Sequence, residues 1–578
     1  MATDSLLHEF PSVTTEAWEA AIARDLKGAD YAKKLLWQSG EGLAVKPYYR
    51  AEDIEGLEYL SASPGDFPYA RGARTAADWR IREEIGEVEP ELANRAALSA
   101  VAAGAEEIAF LHPRTENSSD LGLLLNNLQE IPIHFCNAAE PLIRLLIARR
   151  HSAPTSTGFD PLTNLNFAAE VAASAPPGFT PFTIHGERFE ELGATAAEEV
   201  GFTLAAAVDF LAEMQTRNVD IDRAAASVQF SFAIGSNFFF QIAKLRAFRL
   251  LWARAVESFG GNKESARARI HASTSRWNKT LYDPHVNILR GTTEAVSAIL
   301  GGASSISVAP FDACYKRPDE ASRRLARNTQ ILLKHEAFLS RVADPTAGSY
   351  CIEVLTDFIA REGWRTMQSI EAGGGYRNAR ADGVITRALV ESMADREKAV
   401  ASRRRVFTGT NQYSNPSETA LDRIDFDRAF TGRRATQSFE RLRLRAERHA
   451  VQAGQSPRIL LAEIGDVKMR SARSNFAANL FGCAGFRCVT QQFATADAIA
   501  LVPTDLIVLC SSDAECLELG REVMIQLRAL HRNTPVLVAG NPESSEQLRA
   551  AGIADFIHLR TNPIEFLTAW QLRLGIKD

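Results

Sequence analysis

Arg458-Ile-Leu-Leu-Ala462, running into Glu463-Ile-Gly-Asp-Val-Lys-Met-Arg-Ser471, decides how the C-terminal part of this chain folds. A short apolar run stopped by Gly465 and Asp466 reads as a buried strand, and Ser471–Ala484 beyond it has helical period. The same unit recurs downstream. Arg487–Thr490, Leu506–Cys510, Pro535–Ala539 and Asp555–Leu559 read as further strands, with Asp513–Leu530, Ser544–Ala551 and Pro563–Leu574 helical between and after them. Strands alternating with helices in this way predict a flavodoxin-like, doubly wound sheet over residues 457–578. Such sheets bind ligands at the carboxyl ends of their strands, so the loop Glu463–Ser471 is where chemistry is expected.

Upstream, Phe407-Thr-Gly-Thr-Asn-Gln-Tyr-Ser-Asn-Pro416 is turn chemistry and opens a linker over 406–456. Within it, Thr436–Ala450 reads as a charged helix crowded with Arg441, Arg443, Arg445 and Arg448, expected to be solvated. Residues 85–405 alternate apolar runs with amphipathic segments such as Ala194–Met214, Phe238–Glu257, Arg317–His335 and Ile352–Ile370. Strands are predicted at Glu107–Leu111, Ile131–Phe135, Thr180–Ile184, Ser227–Ala233, Ile270–Ser273 and Ser304–Val308. That is six, but the length and the βα alternation fit an eight-stranded TIM barrel. Residues 1–84, irregular and carrying Trp18, Trp37, Tyr48, Tyr49 and Trp79, read as an arm that wraps a partner.

The 578 residues are too many for one ordinary core, and 46% apolar with 24% charged composition is that of a globular protein. A net charge of -6 gives no electrostatic reason for nucleic-acid binding. No apolar run reaches membrane-spanning length, and Met1–Phe10 resembles neither a secretory signal nor a transit peptide, so a cytoplasmic protein is expected. The seven cysteines form no Cys-x-x-Cys pair, and the eleven histidines stand at no metal-ligand spacing. Gly373-Gly-Gly375 reads as the turn that ends a helix.

Several long segments resemble the methylmalonyl-CoA mutase family. They are Gly42-Leu-Ala-Val-Lys-Pro-Tyr48, Gly193-Ala-Thr-Ala-Ala-Glu-Glu-Val-Gly-Phe-Thr-Leu-Ala205 and Phe232-Ala-Ile-Gly-Ser-Asn-Phe-Phe-Phe-Gln-Ile-Ala-Lys-Leu-Arg246. Asp283-Pro-His-Val-Asn-Ile-Leu-Arg290, Ala326-Arg-Asn-Thr-Gln-Ile-Leu-Leu333 and Asp344-Pro-Thr-Ala-Gly-Ser-Tyr350 complete the set. The resemblance implies a TIM barrel that binds a CoA ester, joined to a flavodoxin-like domain that binds adenosylcobalamin. It also implies a radical rearrangement begun by cobalt–carbon homolysis.

The chain departs from the family where the chemistry lies. Active members carry Asp-x-His-x-x-Gly in the first loop of the cobalamin domain, the His serving as lower axial ligand and the Asp orienting it. Anchored on Asp466, that motif puts Lys468 at the His position and Ser471 at the Gly position. Anchored on Gly465, it puts Val467 and Met469 at the Asp and His positions and Glu463 at that of an upstream Lys. Neither register supplies a His, and a protonated Lys has no lone pair for cobalt. In the barrel, Glu187 and Arg188 replace a Tyr-His pair, while Ser273 and Arg276 replace an acyl-contacting Gln and a close-packed Gly. The Thr-Met-Tyr stretch expected before Trp79 is missing, and the segment near Phe159-Asp-Pro-Leu162 is too short for a substrate-gripping insertion.

These departures imply the non-catalytic, small-subunit type of the family. Such a chain has no catalytic residue, metal or cofactor of its own and pairs with a homologous large subunit that holds adenosylcobalamin and does the chemistry. The alternatives are an active mutase with unusual ligation, or a docking module for the mutase's GTPase chaperone.

Overall fold

Eight parallel strands close into a barrel in the computed structural model, which describes residues 13–75 and 78–577. A small antiparallel hairpin, β1 (Trp37–Gln38) with β2 (Ala44–Val45), precedes it. The barrel strands are β3 (Arg80–Ile85), β4 (Glu107–Phe110), β5 (Ile133–Phe135), β6 (Thr155–Phe159), β7 (Phe179–His185), β8 (Val228–Ile234), β9 (Ile270–Thr274) and β10 (Ser305–Ser307). β10 pairs with both β9 and β3, which closes the ring. Two strands were absent from the apolar pattern, and the reason is composition. Arg80-Ile-Arg-Glu-Glu-Ile85 and Thr155-Ser-Thr-Gly-Phe159 face a polar lumen and so carry no apolar run. The barrel therefore opens at Arg80, inside the segment read as arm.

Outside the ring, three long helices pack side by side: Ala196–Thr216, Phe238–Ser258 and Tyr350–Ala372. Thr195 and Glu198 form a reciprocal capping box at the start of the first. That helix approaches the third through glycines, since a Cβ on Gly201 would collide with Thr366 and one on Gly363 with Val200. Buried ion pairs fix the second helix. Lys244 Nζ meets Glu199 at 2.6 Å, and Arg246 meets both oxygens of Glu353 at 2.8 Å.

Much of the arm belongs to the barrel. Tyr69 and Trp79 are buried, Tyr59 Oη donates to Glu353 O at 3.1 Å, and Tyr69 Oη donates to Lys263 O at 2.5 Å. Only its earlier part stays open, with Trp18 and Trp37 about half exposed (45% and 50%). Met1–Phe10, on which the targeting expectation rests, lies outside the described residues.

The second domain is a five-stranded parallel sheet made of β11 (Arg458–Glu463), β12 (Arg487–Gln492), β13 (Leu506–Cys510), β14 (Val536–Ala539) and β15 (Asp555–Ile557). Its spatial order is β12-β11-β13-β14-β15, a 2-1-3-4-5 arrangement. Helices Val467–Gly482 and Pro563–Arg573 share one apolar cluster with the sheet, and Ala496–Leu501, Cys516–Ala529 and Ser545–Ala551 share the other.

The arginine-rich helix, Gln437–Ala453, is not the solvated linker its charge predicts. Phe439, Glu440, Leu442, Arg443 and Leu444 are buried. Glu440 accepts from Leu281 N at 2.9 Å, Glu447 from Tyr282 Oη at 2.8 Å, and Gln571 Nε2 of the sheet domain donates to Leu442 O at 2.7 Å. Arg443 lies 3.9 Å above the Tyr282 ring. Arg443 is spent on this ring and on backbone carbonyls, Arg441 and Arg448 lie exposed over Phe430 and Phe426, and the helix ties the two domains together.

All seven cysteines are free thiols. Among the described residues, no helix is long and apolar enough to cross a membrane.

Candidate functional site

Two sets of residues were expected to mark the emptied sites, and each lies at the carboxyl end of a sheet. Glu463 ends β11, with Asp466, Lys468 and Ser471 beyond it, whereas Glu187, Arg188, Ser273 and Arg276 lie at or just beyond the ends of β7 and β9. No hydrogen bond or ion pair among the described residues joins the two sets.

At β11 the loop is short because the helix starts at once. Asp466 is the N-cap of Val467–Gly482, and its carboxylate accepts from Met469 N at 2.7 Å. That carboxylate is spent on the helix. Lys468 is exposed in the first turn, as are Val467 and Met469 of the alternative register. Gly465 has φ +81°, and a Cβ there would collide with the Glu515 carboxylate, which also accepts from Ser512 N at 3.1 Å and Ser512 Oγ at 2.6 Å. Glu463 is buried, taking a short hydrogen bond from Ser474 Oγ and one of 3.3 Å from Gln492 Nε2. Ala477, Leu480 and Phe481 fill the space beneath the helix against Ile459, Leu461 and Val508. Asp, Glu, Lys and Ser in these positions offer no neutral nitrogen donor to a metal.

The barrel mouth is charged. Glu187 Oε1 meets His185 Nδ1 at 2.6 Å, and His185 Nε2 meets Gly158 O at 2.8 Å, so both ring nitrogens are engaged. Burial works against charge on His185, but the Glu187 carboxylate outweighs it and raises its pKa. Arg188 and Arg276 are exposed, Ser273 is half-buried, and Glu190 accepts from Ser275 Oγ at 3.2 Å. Burial raises the pKa of Glu191, on which the charges of Arg276, Glu187, Glu190 and Arg188 also act. The Cys136 thiol is pushed up to about 12, mainly by burial.

Below the mouth the lumen is plugged. TIM barrels usually fill this space with branched apolar side chains. Here Gln229 of β8 reaches across to His134 of β5 at 3.3 Å and donates to Thr183 Oγ1 at 3.0 Å. His134 meets Ser156 Oγ at 2.9 Å, His271 meets Ser305 Oγ at 2.9 Å, and Arg82 pairs with Glu107 at 2.7 Å. Every one of these side chains is buried. Nothing in the sequence signals the His185–Glu187 pair beyond its position at a strand end, and nothing signals the plug except polar residues at alternate strand positions.

Burial holds His134 and His271 well below the ordinary histidine value of 6.5, with Arg82 adding to it. A depressed base binds fewer protons folded than unfolded, so its contribution is full above 6.5 and is lost as pH falls below that value. Each should cost about 1.4 kcal/mol per pH unit on the acid side. Denaturant titrations at stepped pH are expected to show a shallower acid limb for His271→Asn than for wild type, by about one proton. Equal slopes would contradict the assignment.

A closed eight-stranded parallel barrel followed by a parallel sheet in 2-1-3-4-5 order defines a two-domain α/β protein with both candidate sites at carboxyl strand ends. The family model for methylmalonyl-CoA mutase matches residues 144–470. Methylmalonyl-CoA mutase small subunit from Porphyromonas gingivalis is 34% identical over 99% of this chain and 99% of its own length. The small subunit from Streptomyces virginiae is 29% identical over 99% of this chain and 98% of its own. The large subunit from Streptomyces virginiae is 30% identical over 78% of this chain and 69% of its own. This chain belongs to the methylmalonyl-CoA mutase family.

Proposed function

We propose that this chain is the non-catalytic small subunit of an adenosylcobalamin-dependent methylmalonyl-CoA mutase, paired with a large subunit that interconverts succinyl-CoA and methylmalonyl-CoA. The observation that carries the reading is the β11 loop. Its Asp466 is committed to capping a helix, Lys468 is turned to solvent, and the space under the helix is packed. These residues do not fit adenosylcobalamin, because none of them would offer its cobalt a neutral nitrogen ligand. On this reading the second domain, residues 457–578, is a degenerate flavodoxin-like cobalamin domain. The barrel supports the same conclusion, because Arg82, His134, Gln229 and His271 fill the axis and Glu187 holds His185 rather than a substrate. Relatives named as small and large subunits, the latter also similar over most of this chain, support the pairing.

Calorimetric titration of the isolated chain with adenosylcobalamin is expected to show no binding in the micromolar range or tighter. Isomerisation should appear only when the large subunit is co-expressed. Micromolar binding, or turnover by this chain alone, would refute the proposal.

Association should be of the obligate class, above about 2,000 Å² of buried surface. The open part of the arm, with Trp18 and Trp37 exposed, is expected to contribute to it. Deleting residues 1–37 should raise the dissociation constant of the purified pair at least about tenfold in sedimentation experiments. An unchanged constant would show that the arm serves only its own barrel.

A further inference from the structure

One side of the second domain is incompletely covered. The helix Cys516–Ala529 has 14 residues, while its neighbour Ala496–Leu501 has six, so the shorter cannot mask the facing side of the longer. β12, the edge strand that leads into the shorter helix, is exposed or half-exposed along its whole length. Between the two helices lies a groove of about 780 Å³, reached from the carboxyl ends of β11 and β12.

The lining of this groove is apolar below and acidic above. Ile464, Ala496 and Leu519 form its apolar part, together with Ile525, which is 60% exposed. Asp497, Glu515, Glu518 and Glu522 are its charged residues, and no Lys or Arg lines it. Glu515 is occupied in the β11 loop. Glu518 and Glu522 stand four residues apart on one helix face, where like charges repel, and no ion pair among the described residues relieves them. Such a surface is stabilised by a partner that brings apolar and cationic groups together.

We propose that this groove docks a basic amphipathic helix of another protein, with an apolar stripe against Leu519 and Ile525 and Lys or Arg side chains toward Glu518, Glu522 and Asp497. Two other sources of cationic charge fit less well. A polyamine has no apolar face to cover Ile525, and an anionic membrane is repelled by the carboxylates. The chain's own N-terminal stretch, Met1–Ser12, carries Asp4 and Glu9 and no Lys or Arg. The apolar face of its arginine-rich helix is already engaged between the domains. The inference is independent of whether the chain binds cobalamin.

The test uses the full-length chain and a fluorescent Leu/Lys peptide of about 18 residues, about 27 Å long as a helix, with its leucines on one stripe. Anisotropy titration should give saturable binding. Glu518→Lys with Glu522→Lys, and separately Ile525→Asp, should each weaken it at least about tenfold. Glu546→Lys, at an exposed position on Ser545–Ala551, should leave it unchanged. A peptide of the same composition with scrambled order should bind at least about tenfold more weakly. Circular dichroism of each variant must match wild type, and Ile525→Ser serves if the aspartate does not fold. Equal binding by the charge-reversed variant or by the scrambled peptide would reduce the effect to attraction by a net-negative chain and overturn the proposal. So would spermine or phosphatidylglycerol vesicles binding the groove as tightly as the peptide does.

Discussion

Arg246→Leu is expected to destabilise the barrel domain by about 3–5 kcal/mol, the usual cost of removing one partner from a buried charge cluster. The guanidinium is fully buried. It donates to both oxygens of Glu353 at 2.8 Å, to Thr356 Oγ1 at 3.3 Å and, in a short contact, to Asp344. Glu353 also accepts from Gly348 N at 3.0 Å, so the cluster joins the helix Phe238–Ser258 to the turn that precedes Tyr350–Ala372. Burial alone would lower the arginine's pKa, but Asp344 and Glu353 raise it, so the cation persists in the fold. Leucine would leave two carboxylates buried without their counter-ion. The exposed pair Arg254–Glu257, at 3.0 Å with both side chains about half exposed, is the control, and Arg254→Leu should cost at most about 0.5 kcal/mol. Guanidinium titration followed by tryptophan fluorescence measures both. A shift for Arg246→Leu no larger than the control's would mean that relaxation or water replaces the pairing.

Arg246 and Asp344 each lie in a segment whose resemblance to the mutase family is strong, and their role is structural. This explains why the family fold is legible although the residues expected at its site are replaced. Lys244, Glu199 and Arg246 make contacts between helices of the barrel's outer layer. The central strands of the second domain are legible because they are buried on both faces, as Leu506–Cys510 and Val536–Ala539 show. Barrel strands β3 and β6 are not, because a polar lumen removes the apolar half of the alternation and leaves sequences such as Thr-Ser-Thr-Gly. The linker helix was misread for a related reason. Four arginines on 17 residues signal solvent only if no carboxylate or ring awaits them, and Arg443 finds Tyr282 and the backbone carbonyls of Asn415 and Glu418.

Site positions were legible by residue type but not by geometry. That Lys468 stands near a ligand position is implied by the family resemblance; that it lies on the first turn of a helix capped by Asp466 is not. Nor does spacing reveal that Glu187 turns back two residues to His185, because the family's pattern at that place describes contacts with substrate. The plug is the deepest omission. It is assembled from single residues on separate strands, and only closure of the ring brings Gln229 to His134.

Glu463→Lys with Lys468→His and Ser471→Gly, the variant that restores the expected ligand set on paper, is predicted to yield no isomerisation when assayed alone. Glu463 sits buried where it accepts from Ser474 and Gln492, and a lysine there leaves both donors without an acceptor, at about 1–3 kcal/mol. Ser471 lies inside the helix Val467–Gly482, so glycine costs roughly a further 0.5 kcal/mol. The new histidine would project from an exposed helical turn, and Asp466 cannot orient it while capping Met469 N. Partial cobalamin uptake, visible by absorbance, leaves the second obstacle untouched. Glu187 is no aromatic ring that could shield a radical and Arg188 is exposed, and each electrostatic contact with a reacting group is typically worth about 10²–10³ in rate. Beneath them the axis is closed by Arg82, His134, Gln229 and His271. Adding Glu187→Tyr and Arg188→His should therefore still give no turnover, and would release His185 from its carboxylate, which a fall in the His185 pKa by NMR would report. Acyl-CoA isomerisation by either variant without the large subunit would show that the barrel still admits substrate, and that the polar plug opens in solution.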